Sequence, residues 1–407
     1  MKRVHFCAAL ISAVSATSFA QSGTPPGEPS GINFGGGLFL KPVLDATYLY
    51  DSNLYRQDAN ETDAQASVIA PGVALEYLTA DNVLRAGYRG EYAFYDTSSS
   101  DDYSDSDLFL EARLNEGGRH RIAVNVLRDE GHDPFGTERT ELTPSQQNRD
   151  VDEWTATSAR LAYTFGAPSA TFNLTLWGDG LMREYDTNRA DTQFLDRDIF
   201  GGGAEAKVRI SPRTGLLFDI QHHSIEYDFV RVGQTARDGT ELLVRGGFQW
   251  FASAKTLGRV RIGLVQRDFD ATNRDDFSGV NWEAAISYRP VTYSEFVIDT
   301  SRTAQESYFD GADFIDVSRI GAKWTHGWSP RFETGLSLAF AQYSFEGANR
   351  DDDLLIGGFY GQYELLRSVK MRAGVDGSSR DSNAVDAQLR PLNFDRFVPY
   401  LRLQFAL

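Results

Sequence analysis

The chain contains little of several residue types that would indicate a particular chemistry. Its 407 residues include one cysteine, Cys7, three methionines and six histidines. Cys7 lies in a segment that we expect to be removed on export, so cysteine-ligated zinc, iron–sulfur clusters, disulfides and thiol catalysis are excluded for the mature chain. Basic residues are also outnumbered, 40 against 57 acidic ones, which gives a net charge of −17. This balance argues against a general nucleic-acid binder, which must neutralise phosphates.

Long apolar runs are absent as well. A membrane helix needs about 20 consecutive apolar residues, and no segment of this chain approaches that length. The chain begins with two bases, a short apolar run and small residues at Ser18 and Ala20, which is the pattern of an export signal. We predict a signal peptide over residues 1–20, a flexible periplasmic N-terminal segment over 21–41, and one folded unit over 42–407. Cleavage removes two bases and no acid, so the net charge becomes −19.

Aromatic residues and glycine are abundant. The chain has 27 Phe, 18 Tyr and 37 Gly, a mixture typical of strands and tight turns. From residue 42 onward, apolar and polar residues alternate with a period of two. In Leu84-Arg-Ala-Gly-Tyr-Arg89, for example, the leucine, alanine and tyrosine share one face and the two arginines share the other. The alternation predicts strands, because successive side chains of a strand point to opposite sides.

Short and long connections alternate along this pattern. The predicted short turns lie at residues 79–82, 115–119, 166–169, 211–215, 253–257, 289–293, 326–330 and 366–369. The predicted long loops lie at residues 52–64, 95–105, 129–153, 183–198, 224–240, 268–276, 303–313, 346–353 and 376–395. Short turns at one end and long loops at the other are typical of outer-membrane barrels, and aromatic residues gather near both ends, as expected at two membrane interfaces.

We therefore predict an all-β fold, a transmembrane antiparallel outer-membrane β-barrel of about 18 strands with both termini in the periplasm. Its strands are long enough to cross a bilayer when tilted. A water-soluble β-sandwich, which is the alternative, gives no reason for such a regular asymmetry between the two ends.

The face opposite the apolar residues would line the lumen. The predicted lumen-lining residues are Arg85, Arg89, Arg113, Arg121, Arg209, Arg259, Arg261, Arg319, Arg402 and Trp177. Two interpretations of the bases remain open. Either they pair with inward acids, as the wall of a water-filled barrel requires, or they favour anions that have passed the acidic loops. An 18-strand barrel is wide enough for an aqueous channel unless loops fill it.

Two further features concern the width of this lumen. The longest predicted loop, residues 129–153, is long enough to fold inward and narrow the pore, and its glycines and prolines argue against a helix. Trp154 and Trp177 are predicted to point inward. They either stack on sugar rings or, as is commoner, brace a loop inside the lumen.

Patterns of catalytic and metal-binding residues are missing. His222 and His223 are neighbours on one strand and so point to opposite faces, which spoils them as a joint metal site. The acidic stretch from Asp101 to Asp107 lacks the glycine and the closing glutamate of a calcium-binding EF-hand loop. We predict no catalytic residue, no cofactor and no metal site. An outer-membrane hydrolase or polymer-modifying enzyme is kept only as a third hypothesis.

Three short motifs carry a family resemblance. They are Asp51-Ser-Asn-Leu-Tyr-Arg56, Val68-Ile-Ala-Pro-Gly72 and Tyr88-Arg-Gly-Glu-Tyr-Ala-Phe-Tyr95. This series resembles the putative beta-barrel porin type 2 family, whose members open with an Asp-x-Asn-hydrophobic-Tyr/Phe-Arg motif. The resemblance would cover residues 40–407 and implies a β-barrel. Since members of that family often accompany exopolysaccharide assembly genes, it also implies passage of a polymer through the outer membrane.

Two functions therefore stay open. The resemblance favours a conduit for exopolysaccharide export across the outer membrane, whereas the barrel alone fits equally a diffusion porin for small, including anionic, solutes. The expected location is the outer membrane of a Gram-negative bacterium. The expected partners are outer-membrane lipid, lipopolysaccharide, the barrel assembly machinery and, for export, periplasmic polysaccharide export components. Nucleic acid is not an expected partner.

Overall fold

The structure is a computed structural model that describes residues 31–137, 140–141, 150–253, 255–309, 311–386 and 389–407. Most of these residues lie in strands. The strands are β1 Ile32–Gly35, β2 Leu38–Asp51, β3 Ala64–Leu78, β4 Val83–Tyr95, β5 Tyr103–Leu114, β6 His120–Asp133, β7 Asp152–Phe165, β8 Phe172–Tyr185, β9 Arg197–Ser211, β10 Thr214–Tyr227, β11 Gly239–Ser253, β12 Thr256–Phe269, β13 Phe277–Val291, β14 Ser294–Glu306, β15 Phe314–Ser329, β16 Phe332–Glu346, β17 Arg350–Leu366, β18 Val369–Ser382 and β19 Phe394–Ala406. A short helix, α1 (Arg189–Thr192), and a 3-10 turn, Gln193–Leu195, follow β8.

Strands β2 to β19 form one closed barrel. Each strand pairs antiparallel with the next, and β19 pairs with β2 from Ala406↔Val43 to Tyr400↔Leu49. The predicted barrel of about 18 strands is thereby confirmed. Closure removes the free edges that an open sheet would leave. The additional strand β1 pairs with the first residues of β2.

The two faces of the wall differ in character. Large apolar side chains on one face are exposed, as Leu264 at 61% and Leu338 at 55% illustrate, while charged side chains on the other are buried, as Arg267 at 1% illustrates. Side chains from strands that are not neighbours meet only inside a closed barrel. The charged face is therefore the lumen and the apolar face is the exterior, the arrangement of a membrane barrel. Within the described part of the chain, no helix has the length and apolar character needed to cross a bilayer.

The predicted boundaries differ from the observed ones mainly at the loops. All eight predicted turns coincide with short connections, such as 212–213 between β9 and β10. The predicted loop at 346–353 is reduced to residues 347–349, because β16 and β17 continue beyond the apolar belt with polar side chains. Alternation of apolar residues cannot reveal such extensions. We call the two ends of the barrel the turn end and the loop end.

The predicted flexible segment over 21–41 is wrong for its last part. Residues 32–35 form β1, and β2 already begins at Leu38, four residues before the expected start of the barrel. Gly36 and Gly37, both with positive φ, allow the tight turn between these two strands. The predicted signal peptide and residues 21–30 lie outside the described residues.

Candidate functional site

Buried ion pairs line the lumen from its middle to the loop end. Arg245 lies 2.9 Å from Asp219, and both side chains are at most 5% exposed. Arg183 donates to Asp133 over 3.2 Å and is equally buried. Buried charges are stable only when they are paired and hydrogen-bonded. The wall at this end is therefore held rigidly by its own side chains.

Described residues of the longest loop, between β6 and β7, reach across this end of the lumen. Glu141 in the loop accepts hydrogen bonds from Arg350 on β17 and Arg380 on β18, each over 2.5 Å, and its carboxylate is 1% exposed. Strands β17 and β18 lie on a part of the wall far from β6 and β7, since five strands separate β18 from β6 around the closed barrel. The prediction that this loop folds inward is thereby confirmed. The loop narrows the passage that the barrel would otherwise leave open.

The motif at residues 51–56 folds the preceding loop to support this crossing. Asp51 holds Arg396 on β19 through both carboxylate oxygens and accepts the backbone N–H of Asn53. The Asn53 side chain donates to the carbonyls of Gln57 and Asp395 and is fully buried. These contacts fix a compact turn that directs the next residues of the motif into the lumen.

Tyr55 and Arg56 then contact the crossing loop itself. The ring of Tyr55 meets Phe135 edge-on with centroids 5.4 Å apart, and the guanidinium of Arg56 donates to the Phe135 carbonyl. Burial, followed by the neighbouring Arg396 and Arg380 cations, lowers the pKa of Arg56 to about 9, so this cation remains charged at neutral pH. The motif at residues 51–56 therefore supports the crossing loop through direct contacts.

Gly136 allows the loop to approach Tyr55 and Arg56 closely, and its replacement should release the loop. Its φ is +68°, and a Cβ there would lie 2.3 Å from the Tyr55 carbonyl oxygen. Gly136→Ala should therefore increase cleavage of the loop by trypsin in the folded barrel and raise the single-channel conductance. Gly233→Ala is the matched control, because Gly233 also has positive φ, +85°, but has open space around it. Equal cleavage in both variants would contradict this role for Gly136.

The predicted lumen-lining residues all lie on the charged face, but they fall into different groups. Four are paired with carboxylates: Arg85 with Glu76 and Glu111, Arg113 with Glu116, Arg261 with Glu205, Asp219 and Glu283, and Arg319 with Asp299. Arg402 donates to Thr47 over 2.9 Å, and the guanidinium of Arg89 lies 5.0 Å from the centre of the Phe109 ring. For the paired bases, neutralisation within the wall is the interpretation that the geometry favours.

A second group lies near the turn end and is held by carbonyls instead. Arg121 donates to the carbonyl of Gly166, and Arg209 donates to those of Pro168 and Ser169. The nearest carboxylate to Arg259 is Glu205 at 4.0 Å, which Arg261 already binds.

Lys207 lies on β9 between these bases, two residues before Arg209. Among the described residues, the structure pairs none of Arg121, Lys207 and Arg209 with a carboxylate. We call Arg121, Lys207, Arg209 and Arg259 the basic vestibule. Among the described residues these four bases meet one carboxylate, Glu205 at 4.0 Å from Arg259, and their net positive charge makes the turn end of the lumen favourable for anions.

The two inward tryptophans are covered by bases. The guanidinium of Arg160 lies 4.7 Å from the centre of the Trp177 ring, and that of Arg183 lies 4.2 Å from Trp154. Trp154 also donates its indole N–H to Asp133 over 3.0 Å. These contacts occupy the ring faces that a sugar would need, so the geometry favours bracing over stacking. The partners Arg160 and Arg183 lie on strands, so the tryptophans brace the wall and not, as predicted, a loop.

Within the described residues, no three His, Cys, Asp or Glu side chains are placed to hold a metal ion together. His223 lies 3.0 Å from Asp179, and His222 on the exterior face does not join it.

One family model and several solved structures are similar to this chain. The family model described as putative beta-barrel porin 2 matches residues 24–396. Among solved structures, OpdK of Pseudomonas aeruginosa, solved with vanillate, is 12% identical with a TM-score of 0.49, and the match covers 90% of this chain and 99% of OpdK. OccK11 of the same organism is 13% identical with a TM-score of 0.46, over 90% of this chain and 96% of that one.

The FrpB iron transporter of Neisseria meningitidis is 11% identical with a TM-score of 0.48 over 86% of this chain. The match spans only 63% of the length of that transporter. A comparison with curated proteins found no match. The family model covers most of the chain and includes the motif that positions the crossing loop. The chain therefore belongs to the putative beta-barrel porin 2 family.

Proposed function

We propose that this protein is a diffusion porin of the outer membrane that passes small anionic solutes. The observation that carries the proposal is the crossing of the lumen by the β6–β7 loop, fixed at Glu141 by two buried arginines. A passage divided in this way suits small solutes. A hydrated polymer would have to displace a buried ion pair, and breaking such a pair is costly because it leaves charges uncompensated.

The preference for anions follows from the basic vestibule. Two of its bases, Arg121 and Arg209, are held by backbone carbonyls and not by carboxylates, so their charge is available to a solute. Rings of bases select anions in pores, and binding must stay weak enough for release. Several separate cations along the wall, rather than one enclosed pocket, meet that demand.

Polymer export was the function implied by the family resemblance alone. Among the described residues, no lumen feature specifically favours it, and the covered tryptophans count against a sugar-stacking track. Lipid, lipopolysaccharide and the barrel assembly machinery remain proposed partners of an outer-membrane barrel, and placement in a Gram-negative outer membrane is part of the same proposal. Periplasmic export components are not needed for diffusion.

Reversal of charge in the vestibule tests the proposal. The purified barrel in a planar bilayer, under a potassium chloride gradient, should show a reversal potential that indicates preference for chloride. Lys207→Glu with Arg209→Glu should shift that potential towards cation preference. Lys207→Arg with Arg209→Lys keeps the charge and should leave the potential unchanged. Cation preference in the unaltered barrel, or no shift in the charge-reversed variant, would overturn the proposal.

A further inference from the structure

The wall between β13 and β14 is incompletely paired near the loop end. The ladder between these strands stops at Trp282↔Arg302. Strand β13 nevertheless begins at Phe277, paired with β12, and β14 continues to Glu306, paired with β15. At the point of separation, the Asn281 side chain donates to the Arg302 carbonyl over 2.7 Å. Unpaired strand edges are costly in a membrane wall, so this opening requires a compensating arrangement.

The compensating arrangement is an inward position of the end of β14, up to Glu306, and the start of β15, from Phe314, which together we call the β14–β15 tip. Glu306 has the same strand alternation as Ile298, which is 53% exposed on the exterior face. Yet the Glu306 carboxylate accepts hydrogen bonds from Arg267 and from the Tyr227 hydroxyl, which both lie on the lumen face. A side chain of exterior alternation can reach lumen-facing partners only if its backbone lies inside the wall.

Phe314 shows the same inversion. It lies opposite Glu306 in the β14–β15 ladder, is 2% exposed, and packs on Phe277 with ring centroids 4.6 Å apart. The guanidinium of Arg267 lies 5.5 Å from the Phe314 ring. The exterior face of the tip therefore rests on the inner face of β12 and β13.

The lumen face of this tip is connected to the crossing loop. Ile315 and Val317 pack in one buried cluster with Phe345 of β16. The guanidinium of Arg350 lies 4.1 Å from the centre of the Phe345 ring, and the same guanidinium binds Glu141 of the crossing loop. The two inward-folded elements thus share Arg350, so that displacement of one disturbs the support of the other.

We propose that residues 303–309 and 311–315 belong to a hinged flap that gates the loop end of the lumen. In the tucked state, Glu306 is held by Arg267 and Tyr227. In the zipped state, residues 303–306 continue the β13–β14 ladder by pairing with 278–281, which closes the wall and clears the lumen. The tucked state forms the buried ion pair of Glu306, and the zipped state forms a row of ladder hydrogen bonds. Each state therefore makes an interaction that the other lacks, which is the requirement for a two-state element. The flap would act on any solute and is independent of the anion preference proposed above.

Disulfide locking tests the flap directly, because the only cysteine, Cys7, precedes the barrel and can be replaced. Continuation of the Trp282↔Arg302 register places Val280 opposite Ala304 in the zipped state. Oxidation of the Val280→Cys, Ala304→Cys variant should form a disulfide and raise the single-channel conductance, and a thiol reductant should reverse the rise. Ile286→Cys with Ile298→Cys is the matched control, since these residues already pair in the ladder on the same face. The control disulfide should leave the conductance unchanged.

Only barrels with the heat-modifiable gel mobility of folded protein are scored. Absence of the Val280–Ala304 disulfide where the control disulfide forms, or its formation without a rise in conductance, would overturn the flap. A second variant avoids cysteine. Glu306→Gln removes the charge that holds the tucked state and should increase the fraction of time spent at high conductance, whereas an unchanged open fraction would also overturn the proposal.

Discussion

Leu338→Arg should destabilise the folded barrel by about 2–4 kcal/mol, because it places a charge on the lipid-facing surface near the middle of β16. Leu338 is 55% exposed on the exterior face and pairs with Ala322 and Gly357, which offer the arginine no acid. The introduced arginine can avoid the lipid only if the barrel wall distorts around it. The measurement is the free energy of unfolding by urea titration in lipid vesicles.

Ser337→Arg provides the comparison at the adjacent position. Ser337 is on the lumen face and lies opposite Lys323 and Gly358, the second of which has no side chain to obstruct a longer residue. We expect a loss well below that of Leu338→Arg, since the lumen-facing side chain can reach water. Equal losses at both positions would mean that the exterior face does not contact lipid, and the barrel would not cross a membrane as described.

Glu141→Gln should release the crossing loop and enlarge the pore. The substitution keeps the shape of the side chain but removes the carboxylate that Arg350 and Arg380 share. Arg350 keeps Asp352, whereas Arg380 stays buried without its carboxylate. Loss of one partner in a buried ion pair typically costs about 3–5 kcal/mol, which is enough to undock a loop while the barrel stays closed by its ladders. We expect a higher single-channel conductance and faster cleavage of the loop by trypsin.

Glu116→Gln is the control for this chemical change. Glu116 pairs with Arg113 at 3.5 Å, but both side chains are more than 40% exposed and lie next to the β5–β6 turn. Exposed pairs contribute little, so neither conductance nor cleavage should change. If Glu141→Gln behaves like Glu116→Gln, the loop is not held by its carboxylate and the account of the narrowed lumen fails.

The barrel itself could be predicted from the sequence because its cause is local. Alternation along Leu84–Arg89 places side chains on two faces whatever the rest of the chain does. The connections such as 212–213 are marked by charged, proline and glycine residues that end the alternation. Strand number and the two ends follow from these local signals. The inward loop was also predictable, since its length exceeds what a surface connection needs.

The partners inside the lumen could not be predicted in this way. Arg259 and Arg261 are equivalent in the alternation, yet Arg261 is surrounded by three carboxylates and Arg259 is 4.0 Å from one. That difference depends on the register of four strands. Glu141 and Arg350 are 209 residues apart, so their contact exists only once the barrel has closed. The motif at residues 51–56 marked a family, but its role in holding a distant loop is visible only in three dimensions.

The inverted flap was missed for a related reason. Glu306 and Phe314 follow the exterior alternation of β14 and β15, and alternation alone places them against lipid or water. Glu306 lies within the predicted loop 303–313, and a charged residue in a loop gives no signal that a strand end turns into the lumen. The sequence contains one indication of the inward turn. The segment Thr303-Ala-Gln-Glu306 has no large apolar side chain at an exterior position that could contact lipid.

The central claim is that the barrel passes small anions and retains polymers. It is tested most directly by flux from vesicles that contain the purified barrel and enclose both gluconate, a small organic anion, and a dextran chain. The account predicts rapid loss of gluconate and retention of dextran, with gluconate loss slowed in the Lys207→Glu, Arg209→Glu variant. Release of dextran from the unaltered barrel, or retention of gluconate, would contradict it.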